Sequence, residues 1–173
     1  MKRLKSVWPN AEGSVLLEPS ALLPVLFSLA FGVFEFSLIF YRQQLIESGI
    51  RDAARYLARI PLTTASATPC TQTDANGNTY ASYAKNVAVY EKTSSSGATA
   101  RISGWGTANV TLACPATSNS GGTYHNLGGG DTTVYTISAS TTFAVPTLGF
   151  FGLLGLSVPT MTVTHKERFI GAS

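Results

Sequence analysis

Ala21–Tyr41 reads ALLPVLFSLAFGVFEFSLIFY, a run of 21 residues whose single ionisable side chain is Glu35. A hydrocarbon core of about 30 Å is crossed by roughly 20 apolar residues in helical form, so the run is long enough to span a bilayer. The helix does not stop there. Beyond Tyr41, the residues Ile46, Ile50, Ala53, Leu57 and Ile60 recur at spacings of four, three, four and three, which keeps them on one helical face. Arg51, Arg55 and Arg59 fall four apart on another face, and Glu47 precedes Arg51 at the favourable i, i+4 spacing. Pro61 ends the pattern, because the residue before a proline is pushed out of the α region. One helix over residues 14–60 is therefore expected, with about 21–41 in the membrane. From Ser14 to Arg59 it would measure roughly 69 Å at about 1.5 Å per residue, some twice the hydrocarbon thickness. Its distal half must pack on something other than lipid.

The rest of the composition fits one membrane segment and one modest domain. Only 12% of the 173 residues are charged, and the mean hydropathy is +0.17. Soluble domains carry roughly a quarter of charged residues. The net charge of +3 is concentrated in the first thirteen residues, where Lys2, Arg3 and Lys5 outweigh Glu12. Without them the chain stands near +1, which argues for a cytoplasmic anchor and against a nucleic-acid partner. Arg42, Arg51, Arg55 and Arg59 on the far side nearly balance the positive-inside count. Orientation is set instead by the Ser-, Thr- and Gly-rich C-terminal part and by Cys70 and Cys114, an even pair suited to an oxidising compartment. The N-terminus is read as inside and the head, 61–173, as outside.

Within that head, Leu62–Thr79 carries Pro, Thr and the turn-forming Asn76-Gly77-Asn78. Tyr83–Glu91 (YAKNVAVYE) suits helix and strand equally. Ala108–Ala113 reads as a strand running into Cys114, and Ser118–Gly130 as a loop. Period-two alternation over Val134–Phe143 and Thr160–Phe169, rich in Thr and β-branched residues, marks two strands. Between them Pro146–Leu156 (PTLGFFGLLGL) is too apolar for a solvated loop. It is either a covered core loop or a surface touching the membrane or another subunit. The fold class is α+β: a long N-terminal transmembrane helix followed by a small antiparallel β-rich head.

Ahead of the apolar run lies Gly13-Ser-Val-Leu-Leu-Glu18. A secretory signal is cut after its apolar stretch, which is then discarded. Here the small-residue junction comes first. Cleavage between Gly13 and Ser14 would remove the basic leader, 1–13, and leave the apolar helix as the new N-terminus with one acid near its start. That is the layout of a type IV prepilin-like signal.

The sequence resembles the TadE-like minor pseudopilins of tight-adherence (Tad, Flp-type) pilus systems. The resemblance rests on Gly13–Glu18, the proline-bearing run Ala21–Ile39 and Phe34-Glu35-Phe36. It continues in Tyr41-Arg42-Gln43-Gln44 and Arg51-Asp-Ala-Ala-Arg55-Tyr56, so it covers about 13–59. The later order of strand, Cys114, Thr-rich strand, apolar loop and closing strand is similar more loosely. Family members commonly carry Phe after the acid, where this chain has Pro19. Proline disfavours α conformation at Glu18, so a regular first turn is expected only from Pro19.

The resemblance implies a minor pseudopilin in assembly of a tight-adherence type IVb pilus, processed after Gly13 by a prepilin peptidase. Its partners would be that peptidase, other pilin and pseudopilin subunits, the Tad secretion machinery and the lipid bilayer. Its location would be the bacterial inner membrane or an extracellular pilus. The alternative is an uncleaved single-pass envelope protein whose head binds a ligand or scaffolds a secretion complex. Glu18 is the candidate assembly residue, its carboxylate pairing with an N-terminal amine, since a lone carboxylate in lipid is costly. Without a partner it would lie in the headgroup region. Glu35 is an intramembrane acid that either contacts Arg42 of another helix or snorkels to the interface. Cys70 and Cys114 are expected to form a disulfide closing a loop of roughly 45 residues, worth about 4 kcal/mol on the loop-entropy account. No enzyme, metal or cofactor is expected: His125 and His165 have no ligand spacing, Gly128-Gly-Gly130 reads as a turn, and no catalytic or phosphate-binding motif occurs.

Overall fold

The computed structural model describes residues 14–63, 67–121, 133–153, 155–157 and 159–171. Its first element, α1 (Ser14–Ala58), is a single 45-residue helix, about 68 Å long at about 1.5 Å per residue. Pro19 and Pro24 both lie inside it, so the helix is formed five residues before the expected start at Pro19. Each proline removes one backbone donor without ending the helix. The helix closes two residues short of Ile60, and Arg59 N–H turns back to the Tyr56 carbonyl at 3.2 Å.

The two halves of α1 meet different surroundings. Leu22, Val25, Phe27, Leu29, Val33, Phe34 and Phe40 are all exposed, and the helix is apolar enough over Leu22–Ala58 to cross a membrane. Further along, Ile46, Ile50, Ala53, Ala54, Leu57 and Ala58 are fully buried. The four-three periodicity therefore marks the core face, and that core is shared with the head. Glu47 and Arg51 form their expected pair at 2.8 Å, both about half exposed.

The segment 83–91 is helical: α2 (Tyr80–Tyr90) packs on α1. Thr79 caps its first turn, with Oγ1 accepting from Ser82 N–H at 3.2 Å, and Glu91 ends it in the left-handed region at φ 60°. Ala84, Ala88 and Val89 face the core. Small residues there let the two helices close in. A Cβ on Gly49 would stand 2.5 Å from the Ala88 carbonyl oxygen and 2.9 Å from the Trp105 ring. Before α2, Asp74 organises the Asn76-Gly77-Asn78 turn. Its Oδ1 accepts from the N–H groups of Asn76 and Asn78, both at 2.9 Å, and its Oδ2 from the Tyr83 hydroxyl at 2.7 Å.

The sheet is antiparallel, as read from the sequence. A short 3-10 turn (Thr107–Asn109) takes the first residues assigned to a strand, leaving β1 as Val110–Ala113. β2 (Ala116–Ser118) pairs with the same edge of the central strand β3 (Thr133–Ala144) in unchanged register. The two are one strand interrupted at Cys114-Pro115, and the Pro115 carbonyl still accepts from Thr136 N–H at 3.0 Å. On the other edge, β4 (Thr160–Arg168) pairs with Thr136–Ala144. Ile137, Ala139 and Thr141 of β3 point into the core, as alternation predicts. Buried Trp105 donates its indole N–H to Thr141 Oγ1, which in turn donates to the Asn109 carbonyl. Past β4, Ile170 N–H donates to the Ala58 carbonyl at 2.9 Å, tying the chain's end to the end of α1. Much of the expected loop 118–130 lies outside the described residues.

Two outcomes follow from this packing. Gly49→Ala gains about 1 kcal/mol of helix propensity yet forces a Cβ against a backbone oxygen that cannot rotate away. A net loss of about 1–2 kcal/mol is expected, read as a lowered thermal midpoint in near-ultraviolet dichroism of the detergent-solubilised chain. The Asp74 carboxyl is held below its usual range chiefly by the Tyr83 hydroxyl, then by its backbone donors. A depressed carboxyl stabilises the fold above its unfolded pKa of about 3.9 and loses that contribution as pH falls through the lower folded value. Tyr83→Phe should therefore raise the Asp74 midpoint towards the ordinary value, measured on its carboxyl carbon by NMR.

Candidate functional site

A carboxylate inside an apolar helix needs hydrogen-bond donors, because lipid offers none. Glu35 is 1% exposed, although its helical neighbours Phe34 and Phe36 stand open. What covers it is the connection between β3 and β4. Gly149 N–H donates to Glu35 Oε1 at 3.2 Å, and Phe151 N–H to Oε2 at 3.1 Å. These amides open the one-turn helix α3 (Phe150–Leu153), so the carboxylate caps a turn 114 residues away in sequence. Gly149 holds φ +97°, a conformation that side chains rarely adopt, and this aims its amide at Glu35.

Aromatic contacts seat the same loop on α1. Phe36 meets Phe151 edge to face at 5.4 Å between centroids, and Phe31 lies 6.3 Å from Phe150. The face of α1 beneath the loop carries Gly32 and Glu35, then Ile39, continuing at helical spacing into the buried face of the head. The loop's other side shows Leu148, Leu153 and Leu156 outward. The described residues of the segment 146–156 therefore cover one face of the apolar helix while exposing an apolar face of their own. Glu35 turns to its own chain's backbone and is buried there. Arg42, further along α1 towards the head, keeps a buried Nη1 with no hydrogen-bond partner among the described residues.

The other candidate residues are dispersed. Gly13 lies outside the described residues, as does the Glu18 side chain; Ser14 is the first residue of α1. Cys70 and Cys114 are joined in a disulfide with Cα atoms 5.8 Å apart, which ties the segment after α1 to the break between β1 and β2. His165 lies on β4 with Nε2 3.1 Å from Glu167 Oε2. His125 and Gly128-Gly-Gly130 lie outside the described residues. No group of three His, Cys, Asp or Glu side chains suited to a metal ion occurs among the described residues.

Sequence reasoning missed Arg101. Its side chain is 8% exposed and joins α1 to the end of α2: Nη2 meets Asp52 Oδ2 at 2.8 Å, while Nη1 reaches Ser48 Oγ at 2.9 Å and Glu91 Oε1 at 3.2 Å. Nothing local in Thr99-Ala-Arg-Ile singles out that arginine. It also missed the donors for Glu35, which are main-chain groups and leave no mark in side-chain patterns. The run of glycines at 149, 152 and 155 was the available signal.

Residues 13–55 match the model of the family described as TadE-like protein, in agreement with the resemblance read over 13–59. The match takes in Gly13, the apolar run of α1, Glu35 and the first turns that enter the head's core; α2 and the sheet lie beyond it. No curated protein and no solved structure matches the chain.

The Glu35 seat makes a direct prediction. In Glu35→Ala, the amides of Gly149 and Phe151 lose their acceptor and should exchange with deuterium at least several-fold faster, whereas the β3–β4 amides keep their protection. Unchanged exchange at both amides would show that the carboxylate does not hold the loop.

Proposed function

We propose that this chain, TadE-like over residues 13–55, is a minor pseudopilin acting in assembly of a tight-adherence pilus. The observation that carries the reading is the family match, which begins at Gly13 itself and runs through the span to Arg55. The architecture supports it. A 45-residue helix exposes apolar side chains between Leu22 and Tyr41 and builds a compact head on its second half. Such a subunit can be held in lipid before assembly and can exchange lipid for neighbouring helices afterwards.

On this reading the basic leader stays on the cytoplasmic side of the inner membrane, and the disulfide-bearing head faces the periplasm. A prepilin peptidase cuts after Gly13, and the new amine of Ser14 lies one helical turn from Glu18. The carboxylate then pairs with an amine, its own or a neighbour's, in surroundings of low dielectric, where such a pair is far stronger than in water. The chain is the peptidase's substrate and performs no reaction itself. Its partners are the peptidase, other pilin-like subunits and the Tad machinery.

Intact mass and N-terminal sequencing of membrane-extracted protein test the processing step. A mature chain starting at Ser14 is expected, with a longer precursor accumulating in Gly13→Val. A mature form still starting at Met1 would favour the uncleaved envelope protein. For the assembly step, Glu18→Ala should leave protein level and membrane fractionation near normal while piliation falls. One acid at the edge of the span barely affects insertion, yet it matters to docking. Normal piliation in that variant would remove the pairing role.

A further inference from the structure

We propose that the β3–β4 connection, residues 146–157, is a second membrane element, held on α1 by Glu35 and laid among the acyl chains of the leaflet beneath the head. The partner is phospholipid. The inference rests on geometry around Glu35 and stands whether or not the chain is processed at Gly13.

Height is the first argument. The bonds from Gly149 and Phe151 to Glu35, with the contacts of Phe150 to Phe31 and Phe151 to Phe36, fix the loop beside residues 31–36 of α1. Helical residues at that level, Phe31, Val33, Phe34 and Phe36, are exposed and apolar, as are Phe40 and Tyr41 nearer the head. Arg42 is the first basic residue after the span, and Tyr41 beside it has the amphipathic ring suited to a headgroup boundary. Seven residues separate Arg42 from Glu35, so the carboxylate lies about 10 Å below that boundary at about 1.5 Å per residue. Whatever surrounds Phe34 therefore surrounds the loop.

Chemistry is the second argument. No Asp, Glu, Lys or Arg occurs between Asp131 and Lys166. The loop's outward residues, Leu148, Leu153 and Leu156, are 65%, 81% and 53% exposed and add to the apolar surface of the helix beside them. Irregular backbone at membrane depth needs internal partners for its polar groups. The loop supplies several: Leu153 N–H donates to the Gly149 carbonyl, Gly155 N–H to Gly152 and Leu156 N–H to Phe151, while Glu35 takes the two amides at the turn's start.

The test uses the full chain in phosphatidylcholine–phosphatidylglycerol vesicles. Among the described residues both cysteines are in the disulfide, so single introduced thiols can carry a nitroxide label. Leu153→Cys reports on the loop, Phe34→Cys on the span and Lys92→Cys on the exposed head. Collision with oxygen relative to a water-soluble nickel chelate should be several-fold higher at 153 than at 92 and comparable to that at 34. Access of the chelate at 153 equal to that at 92 would overturn the proposal. So would spin–spin broadening at 153 that vanishes on dilution with unlabelled protein, since a second copy would then be the occupant. The seat is tested by Glu35→Ala, which should mobilise the label at 153 and leave the label at 34 unchanged. Glu35→Gln, which keeps one acceptor oxygen, should fall between. A label at 153 equally immobile and equally deep in all three backgrounds would show that Glu35 does not position the loop.

Discussion

The carboxylate of Glu35 and the two amides that meet it join the exposed apolar half of α1 to the hairpin of the head. A charged residue at the centre of a spanning helix costs roughly 2.5–3.5 kcal/mol on insertion scales, and an unbonded one has no recourse within the hydrocarbon. Two backbone donors offset much of that cost. They come from the tip of the β3–β4 hairpin, so satisfying the acid brings the head down onto the span. The same hairpin returns along α1 and ends with Ile170 bonded to the Ala58 carbonyl. The hairpin thus grips the helix beside Glu35 and again at the helix's far end.

Between these two attachments the helix becomes the wall of the head's core. Gly49 permits the close approach of α2 and Trp105, and Trp105 is fixed in turn by Thr141 on the central strand. Arg101 fastens Ser48 and Asp52 of α1 to the left-handed cap at Glu91. Its partners Asp52 and Glu91 are 43% and 64% exposed, so solvent screens those pairs. The arginine does more to fix the relative placement of the two helices than to stabilise the fold. The disulfide adds a covalent tie between the irregular segment after α1 and the broken strand.

What was legible in the sequence is what repeats locally. The four-three spacing from Ile46 to Ile60 and the alternation in β3 and β4 mark burial because helix and strand impose those periods on their neighbours. The antiparallel α+β class followed from them. The segment 83–91 was ambiguous because Ala84, Ala88 and Val89 satisfy a helical face while Val87 and Val89 also alternate; the Thr79 cap that decides it lies just outside the segment. Pro19 misled in the other direction, since a missing donor near a helix start is tolerated when the flanking apolar residues favour helix. Glu35 was recognisable as an anomaly but its partners were not. They are main-chain groups 114 and 116 residues away, brought near by the tertiary fold.

The covered face has a consequence for how the span can meet other chains. Gly32, Glu35 and Ile39 lie under or beside the loop, so that side of α1 is already occupied by the protein itself. Val33, Phe34 and Tyr41 lie away from it and remain open. Helices that associate through lipid do so by close packing, and a bulky apolar loop holds a neighbour off on the side it covers. A subunit built this way presents one lateral face of its span for assembly rather than the whole circumference. The orientation of that face relative to the head is set by the continuity of α1, whose second half lies in the head's core, and the bonds from Gly149 and Phe151 to Glu35 fix which side the loop covers. Assembly through the span, as the pseudopilin reading requires, would then inherit its rotational register from the fold of the monomer.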